Sequence, residues 1–333
     1  MSFSATLSRF MASTSMRLPN ATPSTLYRFD ASKRSWSLER IETEASVSVS
    51  FSDPDALFSI VSWNVDFAAP FVLRRFQSAL SHLEKLLSPH LDSPPPSTII
   101  LLQEVHSSCF QPLLSNAFIR EFYQVTDIAR HSYSTVTLVP RTLASLISFV
   151  SRVPFTSNTK MHRDCLYVDF DIPLPPHPDS EPKKIRLRIA NTHLESLNGF
   201  GDTARPKQLG AIAKLLTASG IDGGLVAGDM NSISPSDLDL PERLDLTDAW
   251  LVGLQNTDSN QGVDETETGE SEGHTWGYQP RCEFPPRRLD KILTKGKIGA
   301  TGIQRVGVGL KVEGTDIWVS DHYGLAAKII VQS

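Results

Sequence analysis

The chain has little of what would make it a disulfide scaffold, a zinc protein or a membrane protein. Its three cysteines, Cys109, Cys165 and Cys282, lie far apart and form no Cys-x-x-Cys pair. Neither a disulfide framework nor a thiolate metal cluster is therefore indicated, and a reducing compartment is expected. The longest apolar run, LASLISFV at 143–150, is far short of the ~20 residues of a membrane-crossing helix, so a soluble chain with no membrane partner is expected. Positive charge is in deficit, with a net charge of −5. That excludes a uniformly basic nucleic-acid coat but leaves room for a local cationic groove, since phosphate binding depends on where Lys and Arg lie. Acids are missing altogether from the first 29 positions, which hold Ser, Thr, Arg9, Arg17 and Arg28. Such a stretch suits a mitochondrial transit peptide or an untargeted tail. Nucleus or cytoplasm is the expected location, with the mitochondrion as the alternative.

What is present is the composition of a globular protein, 40% hydrophobic and 21% charged, in a chain long enough for one large domain or two small ones. We expect a tail over 1–44 with a short hairpin within 25–41, then one domain over 45–333. Apolar residues at 72, 73, 76, 80, 83, 86 and 87 recur at helical spacing and predict a helix over 71–87 ended by Ser88-Pro89. Further helices are expected over 108–122 and 205–218. Strands are expected over 56–66, 98–105, 133–139, 146–153, 164–171, 184–196, 225–232, 287–294 and 322–331. SPPPS at 93–97 reads as a short linker, 172–182 as a Pro-rich loop and 256–272 as a flexible acidic loop. Interleaved strands and helices of this kind predict an α/β domain on two packed sheets, with no obligate oligomer indicated.

Five apolar strands finish in polar residues of a restricted kind. SIVSWNVD gives Asn64, and IILLQEV gives Gln103 and Glu104. RIANTHLES gives Asn191, His193, Glu195 and Ser196. LVAGDMN gives Asp229 and Asn231, which strand alternation turns to one side of a sheet, and WVSDHYG gives Ser320, Asp321 and His322. Asp290 lies inside RRLDKIL, where a charge needs a partner. Each has a plain structural reading: Asn64 can cap a turn, Glu104 can face solvent, His193 can be a satisfied interior histidine, Asp321-His322 can be a surface turn, and Asp290 can pair with Arg287 or Arg288. One site would use all of them at once.

Carboxylates and amides without thiolates make an oxygen-rich site, which suits Mg²⁺, with Mn²⁺ able to substitute. Magnesium usually meets phosphate. Attack of water on a phosphodiester needs charge neutralised on the phosphoryl oxygens and a nucleophile held in line. In that chemistry Glu104 and Asp321 hold the metal, and Asp229 accepts the proton of the water while Asn231 fixes its geometry. His322, held by Asp290 through its other ring nitrogen, binds a phosphate oxygen.

The ordered series SWNVD, LLQEV, NTHLES, GDMN, RRLDKI and SDHYG, spread over residues 58 to 331, resembles the endonuclease/exonuclease/phosphatase superfamily. The resemblance implies a four-layer α/β/β/α sandwich of two packed mixed sheets with a metal site at one edge. STVTLV after Tyr133, TSNTKMHRDCLYV at 156–168, Arg205 ahead of Gln208-Leu209, and TWGY at 275–278 are similar to the tyrosyl-DNA phosphodiesterase 2 family, which releases tyrosine from a DNA 5′ phosphate. It implies that Asn64, Glu104, Asp229, Asn231, Asp321 and His322 are catalytic, that Ser196 and His193 contact phosphate, and that Trp276 lines the DNA side, with Tyr133, Arg163 and Arg205 also on substrate. DNA 5′ ends would be the partner and repair the setting.

The pattern departs at one place. Leu-Arg-Asp is expected after the Gly-Asp-x-Asn motif, and Ser232-Ile233-Ser234 stands there. Ile233 carries no charge, so Arg163, Arg281 or Arg287 would have to supply it, or the leaving group differs. Alternatives are a deadenylase-like nuclease, a small-phosphoester phosphatase of the same fold, and a binding module without catalysis. The basic group Arg281, Arg287, Arg288, Lys291, Lys295 and Lys297 is either a solvated face or a nucleic-acid path.

Overall fold

A computed structural model describes residues 22–39, 56–88, 97–129, 131–174, 184–256 and 273–332. The tail before residue 22, most of the linker around 93–96, most of the Pro-rich loop and most of the acidic loop lie outside the described residues.

The apolar strands do not alternate in hydropathy because both of their faces are buried. Ile60, Ile99, Leu101, Ile189, Leu225 and Ala227 meet in a central core between two sheets. Their neighbours point the other way. Val61, Ile100 and Leu102 lie under the helix Val72–Leu87, which covers them with Phe76, Ala79, Leu80 and Leu83. Ala190 and Val226 lie under the helix Phe200–Leu216 and its Leu209, Ile212 and Leu216. Three cores between four layers make the α/β/β/α sandwich that the motif series implies.

Among the described residues one sheet has seven strands, and its middle runs Asp164–Pro173, Lys184–His193, Gly223–Asp229, Asp290–Gly296. The other has eight, and its middle runs Gly324–Val331, Phe58–Asn64, Thr98–His106, Tyr133–Pro140. Each contains one parallel pair, Lys184–His193 beside Gly223–Asp229 and Phe58–Asn64 beside Thr98–His106. Both pairs end at one edge of the sandwich, where strand carboxyl ends leave a crevice for a ligand.

Local differences from the expected elements have local causes. Of the seven apolar positions on the first helix, Leu73 and Leu86 face outward. The segment 108–122 is two short helices, Phe110–Ser115 and Ala117–Phe122, because Asn116 leaves the helical region and its side chain accepts the N–H of Ile119. The helix expected from 205 begins at Phe200, where Asp202 accepts the Gly199 N–H. The hairpin forms as Leu26–Asp30 and Ser35–Leu38, and it pairs with Tyr123–Thr126 at the edge of the eight-stranded sheet, so the folded unit takes in residues ahead of 45. The strand Ile298–Val306 had no apolar run to announce it, since one face is largely exposed.

Candidate active site

Register brings the first chemistry together. His193 pairs with Asp229 across the parallel strands, and Asp229 pairs with Asp290 on the next strand. Gly228 is required between them. A Cβ there would sit 1.8 Å from the Thr192 carbonyl oxygen, and its φ is 149°. In the other sheet Asn64 pairs with Gln103. Gln103 and Asn191 then fasten the two sheets below the crevice: Gln103 Nε2 donates to Asn191 Oδ1 at 2.9 Å, and Asn191 Nδ2 donates to the Val136 carbonyl at 3.0 Å. These two strand-end amides are the floor of the site rather than its reactive groups.

Glu104 is aimed by a bulge. The pairing of its strand slips between Leu102 and Val105, and Glu104 takes a φ of 60°, the usual way a bulge redirects a side chain. Asp66, His162, Leu197 and Asn231 around the site also have positive φ. Strained backbone of this kind gathers at functional sites.

A cavity of about 460 Å³ is lined by Glu104, Arg163, His193, Ser196, Asp229, Asn231, Trp276, Asp321 and His322, among others. Asn64 and Asp290, each 1% exposed, stand behind it. Asp229 collects donors: Asn64 Nδ2 at 3.0 Å and His193 Nε2 at 3.2 Å on Oδ2, and the Asn231 N–H at 2.8 Å on Oδ1. A carboxylate accepts about four hydrogen bonds, so one place is left on the cavity side. Asn231 itself is anchored by donating to the Leu194 carbonyl at 3.0 Å.

Arg163 settles the protonation of His193. Its Nη1 is 2.8 Å from His193 Nδ1, and a guanidinium only donates. Nδ1 is therefore the acceptor, and the ring proton sits on Nε2, facing Asp229. Arg163 is held in turn by its loop, which Glu195 clamps by accepting Thr159 Oγ1 at 2.7 Å and the Lys160 N–H at 2.8 Å. The acid of the THLES motif is thus a clamp. Tyr133 stacks on Phe67 with centroids 3.9 Å apart and lies 5.3 Å below the Arg163 guanidinium, in a small depression joined to the site through Glu104 and His193.

On the far side His322 Nδ1 is 2.7 Å from Asp290 Oδ2. Although burial opposes its charge, the carboxylates of Asp290, Asp321 and Asp229 raise His322 well above the ordinary histidine value, so it is an imidazolium. Burial raises Asp290. Burial also works against ionised Asp229, but His193, His322 and the Asn231 N–H overcome it and hold the carboxyl below its usual range. Asp321 behaves differently. Desolvation in the cleft, joined by repulsion from Asp66 and Glu104, pushes it up to about 6.

Two groups could hold a cation. Asp229, Asp290 and His322 bring ligand atoms within 4.8 Å of one another, yet His322 Nδ1 and Asp290 Oδ2 already satisfy each other at 2.7 Å, which leaves that group fewer lone pairs for a cation. Glu104 and Asp321 fit better. Glu104 Oε2 accepts the Phe67 N–H at 3.0 Å and Asp321 Oδ2 accepts Trp276 Nε1 at 3.1 Å, which orients both carboxylates and leaves Oε1 and Oδ1 available. Carboxylates that repel one another, with oxygen donors only, suit Mg²⁺ or Mn²⁺.

Arg205 is corrected. It is 0% exposed and does not line the cavity. Its guanidinium meets Asp237 Oδ2 and Asp202 Oδ1 and donates to the Glu195 and Leu197 carbonyls, so it is a structural bolt under the site instead of a substrate contact. Arg205→Met would strand Asp237 in the interior without its cation, and about 3–5 kcal/mol of unfolding free energy should be lost. A urea titration measures this; a loss under 1 kcal/mol would return Arg205 to the substrate. The basic group is also not one face. Arg288 and the buried Lys291 surround Asp248, Lys295 reaches Asp245, Lys297 reaches Asp222, and Arg287 lines the cavity and donates to the Ile233 carbonyl. Trp276 both lines the cavity and orients Asp321. Arg75, buried and bonded to Asp66 at 2.5 Å and to the Trp318 carbonyl at 3.0 Å, ties the loops after Asn64 and before Asp321. Nothing in its helical spacing distinguishes it from a surface arginine.

Residues 61–322 match the model of the Endonuclease/Exonuclease/phosphatase family. No curated protein matches the chain. Among solved structures, it is similar to a humanized D. rerio TDP2 with a TM-score of 0.59 and 18% identity, covering 82% of this chain and 98% of that one. A truncated Caenorhabditis elegans TDP2 gives 0.59 and 19%, covering 82% and 97%. The human Nocturnin catalytic domain with bound sulfate anion gives 0.51 and 16%, covering 83% and 93%. At such identities the likeness is one of fold.

Proposed function

Because the chain belongs to the endonuclease/exonuclease/phosphatase family, we propose that it is a Mg²⁺-dependent phosphodiesterase acting at nucleic-acid ends, of the tyrosyl-DNA type. The observation that carries the reading is the meeting of Glu104, His193, Asp229, Asn231, Asp321 and His322 in one cavity, backed by Asn64 and Asp290.

Glu104 and Asp321 would hold a divalent ion, which would supply charge neutralisation on the phosphoryl oxygens. The other work belongs to side chains. Asp229, ionised and one hydrogen bond short of saturation, takes the proton of the attacking water. Asn64, His193 and the Asn231 N–H fix the direction of that carboxylate. The His322 imidazolium, kept charged by Asp290, donates to a phosphoryl oxygen as negative charge grows there. Ser196, which lines the same cavity, would make a further phosphate contact.

For the substrate, the cavity offers two cations, Arg163 and Arg287, beside the apolar surfaces of Trp276, Phe284 and Ile233. An aromatic leaving group next to an anionic phosphate would meet both. The similar D. rerio fold includes a TDP2 complexed with single strand DNA product, which supports a DNA end. A second reading, an RNA nuclease of the same fold, rests on Ile233, which lacks the charge expected there. A 5′-tyrosyl oligonucleotide, a poly(A) RNA and a small phosphomonoester compared under identical conditions decide between them. The tyrosyl substrate should give the highest kcat/KM by at least about tenfold, a transition-state difference of ~1.4 kcal/mol; a preference for either of the others refutes the tyrosyl assignment.

A further inference from the structure

Leu197 combines two features that an ordinary loop residue avoids. Its φ is 65°, in the left-handed region where a side chain is strained and Gly or Asn is the usual occupant. Asn198 and Gly199 follow immediately, yet leucine holds this position. Its side chain is also 64% exposed, and it lines the catalytic cavity. The conformation is held from below. Arg205 Nη1 donates to the Leu197 carbonyl at 2.9 Å and the Glu195 carbonyl at 3.2 Å, and Arg205 is itself fixed by Asp237 and Asp202. A network centred on the buried Arg205 and Asp237 therefore maintains a strained turn that presents an apolar group to solvent. Neither strain nor exposure helps the chain fold, and both make sense when a ligand covers the side chain.

We propose that Leu197 is a specificity-determining residue whose side chain packs on a planar ring joined to the scissile phosphoester. Ile233 and Phe284, the latter 59% exposed, line the same cavity, so the ring meets an apolar surface while its phosphate meets the acids and histidines. The ring is either an aromatic leaving group or the terminal nucleobase. This rests on the phosphodiesterase reading above.

Leu197→Gly and Leu197→Asn both accept a positive φ, so neither should lower the melting temperature. Equilibrium binding by calorimetry in EDTA, which needs no turnover, reads the contact with three probes: p-nitrophenyl thymidine 5′-phosphate with both rings, p-nitrophenyl methyl phosphate with the leaving-group ring, and methyl thymidine 5′-phosphate with the base. Both variants should bind the first probe about tenfold more weakly than wild type, the order of an exposed leucine being covered. The same loss with the second probe alone assigns the ring to the leaving group, and with the third alone to the base. Unchanged affinity for the first probe, no measurable binding by the wild type, or a fall in melting temperature in both variants overturns the assignment. Wild-type hydrolysis with Mg²⁺ is scored separately: its absence refutes the phosphodiesterase reading and leaves the binding comparison standing.

Discussion

Asp229→Asn is expected to lower kcat about a thousandfold, within the 10²–10⁴ range of a positioned general base, while the protein stays folded. The amide matches the carboxylate in shape but not in charge or acceptor number. Its oxygen can still accept the Asn231 N–H, which now reaches Oδ1 at 2.8 Å. Its NH₂ would then face Asn64 Nδ2 and His193 Nε2, two donors that now point at Oδ2. His193 cannot adapt by moving its proton, because Nδ1 is occupied by the Arg163 guanidinium. A donor facing donors costs about 1–3 kcal/mol, so melting should drop by several degrees. Circular dichroism and single-turnover hydrolysis separate the two effects. Turnover within tenfold of wild type would remove Asp229 from the role of base, and Asn64→Ala, which frees Oδ2 of one donor without removing the charge, should sit between the two.

The residues that meet at the crevice were legible because strand periodicity places them without knowledge of the topology. A strand buried on both faces must end before it can show a polar side chain, and so Asn64, Glu104, His193, Asp229 and His322 stand out against apolar runs. Sequence could also foresee that Asp290 needs a partner, but it offered Arg287 and Arg288 as readily as His322. Those arginines project elsewhere, Arg288 to Asp248 and Arg287 to the Ile233 carbonyl, since both precede the strand that begins at Asp290 and sets it beside Asp229. The roles that stayed hidden belong to contacts made between loops. Glu195 reads as one more strand-end acid, and only the fold shows it bound to Thr159 and Lys160. Arg205 lies ahead of a helix in sequence, and the earlier start of that helix at Phe200 carries it into the interior. The bulge at Glu104 has no signal in LLQEV, because it arises from a mismatch with the Tyr133–Pro140 strand.

Chelation should abolish hydrolysis, and Mg²⁺ or Mn²⁺ should restore it, with Glu104→Gln the variant that shows where the ion sits. Glu104 and Asp321 line the same cavity, and repulsion from Glu104 and Asp66 adds to desolvation in lifting the Asp321 carboxyl to about 6. Replacing Glu104 by a neutral amide removes one source of that repulsion, so Asp321 should become more acidic while one anionic ligand is lost. Mn²⁺ binding, read by electron paramagnetic resonance without any turnover, should weaken by about 10–100-fold, and activity at limiting Mg²⁺ should fall with it. The pH dependence has a definite sign. Below about 6 the metal-free Asp321 carries a proton, which a cation must displace, so apparent affinity should drop up to about tenfold for each pH unit below that point and level off above it. The competing position at Asp229, Asp290 and His322 predicts otherwise. There the raised His322 would have to lose its proton before ligating, so affinity would keep rising well above pH 6.5 and Glu104→Gln would leave it unchanged. The two binding curves cannot both be observed, and the second would move the ion to the histidine side of the crevice.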